Sequence, residues 1–369
     1  MFGFFRQCVE VYCDLAKLKP ESLRAVATPG MDDHLLKPED FEEPGHLSVD
    51  AAKIIMKALY GARLVRFELL WPICSSARKI SKWTRACDKR LHRLMCYIHH
   101  TPDHSLESFV GDEAQHCHVV LYSDADFAGD IIQAKSTSGL YMAIVGPNTF
   151  APVTASCKKQ TCVSHSSTES EIVAAEQAIR TEGLQALTFW ELVTELLGTQ
   201  PVKKAETLTP LPKACEMNPY SERFDPAKYF AYTRKPEQAT RLIVAEDNEA
   251  VIKLVKKARS MALRHLPRTH RIDLQWLFEV CSHPRVVMRY VNTKQQAADL
   301  MTKSINNPQI WGNLLELAQI RAGLEAAAGT LPALLSAPPG LALPITTKQC
   351  SKCDFDITTP GSQCPCTWN

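Results

Sequence analysis

The chain has 369 residues, 45% hydrophobic, 22% charged and 8% aromatic, enough for two domains or for one domain with extensions. Its 42 Lys and Arg nearly balance 40 Asp and Glu, leaving a formal net charge of +2. That balance excludes a globally basic nucleic-acid binder and confines any such surface to a local patch. Ten of the 14 cysteines are scattered up to Cys281 without disulfide-like spacing, as expected of an intracellular protein, cytoplasmic or nuclear, with reduced thiols.

The opening "MFGFFRQCVEVYCDLAK" has no basic stretch ahead of its apolar residues, so it does not read as a secretory leader. Residues 1–48 read as weakly organised, because "TPGMDDHLLKPEDFEEPGH" combines Pro, Gly and acids. Residues 49–112 read as helical: Leu91, Leu94, Met95 and Ile98 recur at i, i+3, i+4 and i+7. The basic run "ARKISKWTRACDKRLHR" is either a solvated helix face or, with Trp83 interleaved, a surface for a nucleic-acid backbone. From His116 the period becomes that of strands, with "HCHVVLYSDADFAGD", "SGLYMAIVG" and "FAPVTASCKKQ" at hairpin-like spacing. A long helix is predicted over Ser167 to about Leu197, "STES" forming a near capping box at its start.

Residues 199–240, rich in Pro and Lys, read as an insertion within a 113–322 domain. "TRLIVAEDNEAVIKLVKKA" then predicts a buried strand running into a helix, "RTHRIDLQWLFEVC" a helix, "RVVMRYVNT" a fifth strand and "QQAADLMTKSI" a last helix. The order implies an α/β fold with a mixed sheet. Residues 323–369 read as a Pro/Ala-rich linker and a cysteine-containing tail. Pro332, Pro338, Pro339 and Pro344 keep its apolar stretch below membrane-spanning length, and no membrane partner is expected.

Four acids stand at the ends of these elements: Asp124 closing the first strand, Glu171 in the first turns of the long helix, Asp247 ending the fourth strand, and Asp299 on the last helix. Strand ends of an open sheet face one crevice, and helices over that edge can aim acids into it. Carboxylates sharing a dry site repel one another unless a cation joins them, and Mg²⁺ prefers carboxylate and water ligands. Two such ions about 4 Å apart activate a water and stabilise the leaving oxygen of a phosphodiester.

"YSDADFAGD", "KSTSGLYM", "CKKQTCVSHSSTESEIVAA", "AEDNEAVIKL" and "QQAADLMTKSI" together resemble the RNase H domain of copia-type LTR retrotransposon Pol polyproteins, over about Cys117 to Ile305. The resemblance implies an RNase H-like fold, a five-stranded mixed sheet with flanking helices. It also implies an endonuclease that hydrolyses the RNA strand of RNA–DNA hybrids with two Mg²⁺ ions, for which Mn²⁺ can substitute. Asp124, Glu171, Asp247 and Asp299 would be both the catalytic residues and the metal ligands; Glu169 would serve the helix terminus and Glu176 the solvated face.

Substrate contacts would come from Ser167 and Thr168, in the minor groove of the hybrid, from Asn248, and from Lys158 and Lys159 on phosphate. N-capping by Ser167 or Thr168, and plain solvation of the two lysines, stand as the alternatives. The chain departs from the family pattern at Glu249, where Gln is usual and where an acid would weaken substrate binding. It departs again at Phe127, in place of Trp, and at His270, one place early and given no catalytic role.

The upstream stretch "ARLVRFELLWPICSSARKISKWTRACDKRLHRLMCYIHHT" is similar to the helical connection that precedes RNase H in these polyproteins. Asp32-Asp33 lacks the flanking strands of a polymerase motif, so no polymerase activity is expected and a separate reverse-transcriptase domain is the implied protein partner. Cys350-x-x-Cys353 and Cys364-x-Cys366 form a candidate Zn²⁺ set, an incidental cluster being the equal alternative. Against the nuclease stand two rivals: a non-catalytic retrotransposon remnant that only binds nucleic acid, and an integrase-like transferase on a related fold, which needs a glutamate on a late helix and is disfavoured by Asp299 in that place.

Overall fold

A computed structural model describes residues 3–31, 35–130, 133–197 and 240–322, together with the backbone of 348–349 and 356–357. Asp32, Asp33, nearly all of the 199–240 insertion and the four tail cysteines lie outside the described residues.

The chain opens with five helices: α1 (Phe4–Ala16), α2 (Pro38–Glu42), α3 (Ala51–Val65), α4 (Leu70–Ala77) and α5 (Arg85–His100). The first of them revises the expectation for residues 1–48. Phe5, Cys8, Val9, Tyr12 and Cys13 are all buried, at i, i+3, i+4, i+7 and i+8, and α1 packs on α3 and α5. The stripe is helical in period, but two of its five positions are cysteines, which count as apolar only once packed.

After β1 (His104–Leu106) and β2 (Phe109–Val110) come three long strands, β3 (His118–Asp130), β4 (Lys135–Gly146) and β5 (Thr149–Lys159). Two helices follow, α6 (Ser167–Ala178) and α7 (Leu184–Leu197), then β6 (Leu242–Glu246), α8 (Glu249–Lys257), α9 (Leu266–Thr269), α10 (Leu274–Ser282), β7 (Val286–Tyr290), α11 (Pro308–Leu317) and β8 (Ile320–Ala322). The main sheet has the order β2-β5-β4-β3-β6-β7. β3, β4 and β5 run antiparallel, whereas β6 lies parallel to β3 and β7 parallel to β6. The two-residue β2 makes this sheet six-stranded rather than five. β1 pairs with β8 in a separate ribbon.

Two predicted helices are broken. The long helix widens into a π turn over Ile179–Gly183 between α6 and α7. There a Cβ on Gly183 would lie 2.9 Å from Leu242 and 3.0 Å from Leu121, so the helix backbone lies directly on the sheet. "RTHRIDLQWLFEVC" is interrupted by Arg271, at φ 58°, and restarts where the Asp273 side chain accepts a hydrogen bond from the Gln275 N–H. The segment predicted as the last helix is a 3₁₀ helix over Ala297–Met301.

Alternation along β3 divides the core. Val119 and Leu121 face α6, α8 and α10, where they meet Ile172, Val251 and Leu277. Val120 and Tyr122 face the other way, into a cluster shared with α1, α3, α4 and α5. The amino-terminal helices are therefore one layer of the same core as the sheet. Within that layer Arg66 and Glu68 form a buried ion pair, and Arg66 also donates to the Thr101 carbonyl (2.8 Å) and hydroxyl (2.9 Å), tying the end of α3 to the end of α5. Removing Glu68 strands a buried guanidinium, so Glu68→Ala is expected to destabilise the chain by about 3–5 kcal/mol, read as a lower urea midpoint with an unchanged slope.

Candidate metal centre

The register of the parallel pair fixes two of the acids. Tyr122 lies opposite Ala245 across β3 and β6, and Asp124 and Asp247 each follow two residues later, on the same face and at the same sheet edge. Helix α6 lies over β3 and β4 and delivers Glu171 from its second turn. Carboxylate oxygens of Asp124, Glu171 and Asp247 all lie within 4.8 Å of one another, and among the described residues no other group of this kind is found. Asp124 is 1% and Glu171 7% exposed, and Glu171 Oε2 is buried with no hydrogen-bond partner. Three converging carboxylates, one with a buried oxygen that has no hydrogen-bond partner, are a donor set that suits a hard divalent cation.

Asp299 is brought to the same crevice by the 3₁₀ helix, yet it is not one of the three. Its Oδ1 accepts a hydrogen bond from the Lys303 ammonium at 2.7 Å, and Lys303 Nζ also lies 3.4 Å from Asp124 Oδ2. Thr302 Oγ1 donates to that same Asp124 oxygen. The 3₁₀ helix is held by Gln296, whose side-chain amide donates to the Ser123 carbonyl at 2.9 Å. It rests on Gly139, the β4 residue opposite Asp124, where a Cβ would fall 2.5 Å from the Thr302 methyl and 3.0 Å from the Ala298 carbonyl oxygen.

A fifth acid, Glu246, is fully buried behind Asp247 and accepts from Ser123 Oγ (3.3 Å) and from the Asn248 N–H (3.2 Å). Glu246, Thr302 and Lys303 were not singled out from the sequence. Lys303 had a signal, standing i+4 from Asp299; so had Gly139, a lone glycine inside a strand pattern.

Burial governs the electrostatics, with mutual repulsion of the acids adding to it. Burial, with the charges of Asp124, Glu246 and Asp247 behind it, pushes the Glu171 carboxyl up to about 11. Burial and then Asp124 push Asp299 up to about 8, and raise Asp247 as well. Glu246 is raised by burial and by Asp247. Burial alone would lower the Lys303 ammonium, but Asp124 and Asp299 outweigh it and the net shift is upward.

The remaining site expectations fall as follows. Helix α6 is capped by Ser166, whose hydroxyl accepts from the Glu169 N–H at 3.1 Å, and neither Ser167 nor Thr168 is the cap. Ser167 is exposed and Thr168 half-buried at that helix start. Glu169 serves the terminus, accepting from the His165 N–H at 2.9 Å, and lies 3.0 Å from His265 and 3.1 Å from His270. Glu176 is not on a solvated face: it is buried and accepts from Arg180 at 2.7 Å. Asn248 caps α8 by accepting from the Ala250 N–H at 3.0 Å. Glu249 is exposed and paired with Lys253 at 2.7 Å, which places its charge on the outer side of that helix turn. Lys158 is exposed; Lys159 is tied to Asp130 and to Gln133. Gly139 pairs with both Asp124 and Cys157, so the two lysines follow two strands away from the acids, at the same end of the sheet.

No protein-family model matches the chain, and no solved structure matches it at a significant level. A secreted RxLR effector protein of Plasmopara viticola is 38% identical over 88 residues, which is 24% of this chain. The chain spans 57% of that relative's length. Among the described residues no helix is long and apolar enough to cross a membrane.

Two outcomes are expected of this centre. Between the unfolded carboxyl values near 4 and the raised folded ones, these groups hold more protons in the native state than in the unfolded state, so their contribution to stability is complete below about pH 4 and falls as pH rises through about 8. The melting temperature of the metal-free chain should therefore drop between pH 5 and 8, less steeply in Glu171→Gln, and Mg²⁺ should restore it at pH 8. Gly139→Val, by contrast, should displace the 3₁₀ helix at every pH, costing about 1–3 kcal/mol in a denaturant titration.

Proposed function

We propose that the chain is a divalent-metal-dependent endonuclease that hydrolyses the RNA strand of RNA–DNA hybrids, and that it corresponds to a carboxy-terminal piece of a copia-type retrotransposon Pol polyprotein. The observation that carries this reading is the convergence of Asp124, Glu171 and Asp247 from β3, α6 and the end of β6, with Glu171 Oε2 buried and unpaired. The mixed sheet with flanking helices, six-stranded once the two-residue β2 is counted, supports this reading.

Mg²⁺ held there would acidify a bound water and stabilise the leaving oxygen of the phosphodiester. Asp124, Glu171 and Asp247 are the residues that would hold it. Thr302 orients Asp124 by donating to one of its oxygens. Ser167 and Thr168 present hydroxyls beside Glu171, where the 2′-hydroxyls of an RNA strand would lie, and Lys158 stands at the same sheet end for the phosphate backbone. A reverse-transcriptase polymerase domain would be the protein partner.

Two other readings each have an observation behind them. The Lys303 ammonium between Asp299 and Asp124 favours a non-catalytic module that binds nucleic acid only. Similarity to a secreted effector favours a chain exported from the cell that makes it, which partition of the tagged full chain between cell pellet and medium would decide.

Cleavage of an end-labelled RNA–DNA hybrid in Mg²⁺ tests the proposal. The wild type should cut the RNA strand, and Asp247→Asn should lose activity by about 100-fold or more, since even outer-shell partners of a metal are worth 10–100-fold. A folded wild type that binds hybrid and leaves it intact would overturn the nuclease in favour of the binding module.

A further inference from the structure

Two thiols meet where the amino-terminal layer touches the sheet. Helix α4 packs on β5, and both touch the 3₁₀ segment Ala297–Met301. Cys74 of α4 and Cys157 of β5 stand within hydrogen-bonding reach of each other, and both are only half-buried, so a small solute can reach them. Arg78, at the end of α4, spans the place: its Nη2 donates to Cys157 Sγ at 3.3 Å and its Nη1 to Thr137 Oγ1 at 3.2 Å. The contact between the thiols is unequal. The hydrogen bond from Cys157 lowers the Cys74 thiol below its ordinary value, and the Arg78 and Arg63 charges add to this against burial. The same bond, and then burial, raise Cys157. By contrast, burial pushes the Cys8 and Cys281 thiols up to about 11 and about 12. Thiolate character and access decide which cysteine reacts, and Cys74 has both.

We propose that Cys74 and Cys157 form an oxidation site, Cys74 the attacking sulfur and Cys157 the resolving one, which hydrogen peroxide closes into a disulfide between α4 and β5. The Cys74 thiolate attacks a peroxide oxygen: an S–O bond forms, the O–O bond breaks, and the leaving hydroxide takes the proton that Cys74 gave up. Cys157 then attacks the sulfenic sulfur. The S–S bond forms, the S–OH bond breaks, and that hydroxide leaves as water with the Cys157 proton. Two thiols thus lose two electrons while one peroxide becomes two waters. The bond joins layers that otherwise only pack, and it closes a long loop of chain. Cys157 lies opposite Gly139, on which the 3₁₀ segment rests, so the tie is made beside that seat.

The test treats the reduced full chain with hydrogen peroxide, digests it without reductant and maps the peptides by mass spectrometry. A peptide pair joined through Cys74 and Cys157 should appear, and dithiothreitol should remove it. The oxidised chain should melt about 5 °C or more above the reduced one, a rise that Cys74→Ser and Cys157→Ser both lack. Dimedone, which traps sulfenic acid, should label Cys74 in Cys157→Ser and leave Cys157 unlabelled in Cys74→Ser. Absence of the link in wild type that keeps its native circular dichroism would overturn the oxidation site. A link accompanied by dimedone label on Cys157 and none on Cys74 would overturn the order of attack. A linked chain that melts no higher than the reduced one would overturn the tie between layers.

Discussion

Carboxyl groups that are buried together must be reconciled with one another, and most of the architecture around the crevice bears on how that is done. Asp124 is the common term. It raises the proton affinity of Glu171, Asp247 and Asp299, and it is gripped by Thr302 and Lys303 in return. Such a concentration of like charge survives only on a rigid frame. Here the frame is a parallel strand pair, a helix lying flat on it, and a short 3₁₀ segment seated on a glycine. Three of these carboxylates lie close enough together to hold a metal ion.

The rigidity has a second source. Tyr122 and Tyr141 are fully buried on the face shared with the amino-terminal helices, and the Tyr141 hydroxyl donates to the Ala318 carbonyl at 3.0 Å. That bond links the middle of the sheet to the end of α11. The ribbon formed by β1 and β8 closes the same region from outside. Positions on opposite faces of β3 thus answer to different layers, and the acid at its end is fixed by both.

Much of this was legible in the residues. Continuous apolar runs over β3 and β4 and the strand-to-helix step at "VAEDNEAV" carried the mixed sheet, and acids at element ends carried three members of the centre. What was hidden has physical causes. A π turn differs from an α-helix by one residue of hydrogen-bond offset and leaves the apolar stripe nearly intact, so Ile179–Gly183 read as plain helix. Arg271 takes a left-handed backbone that no pattern of apolar residues announces. The helix cap was displaced by one place because Ser166, Ser167 and Thr168 are chemically equivalent candidates, and only the chain's direction of entry selects among them. Asp299 was found as an acid near the crevice, but its partner is set by an i+4 contact that sequence order treats as surface decoration.

The shared core also sets how the chain can be divided. Val120, Tyr122, Tyr141 and Val145 are covered by residues from α1, α3, α4 and α5 rather than by solvent or by the helices of the opposite face. Cutting the chain between the helical stretch and the first long strand would bare an apolar sheet face, however natural that boundary looks in the sequence. The sheet edge that carries the carboxylates and the upstream helices therefore stand on one core: a substitution that loosens the first hundred residues is felt at the far end of β3.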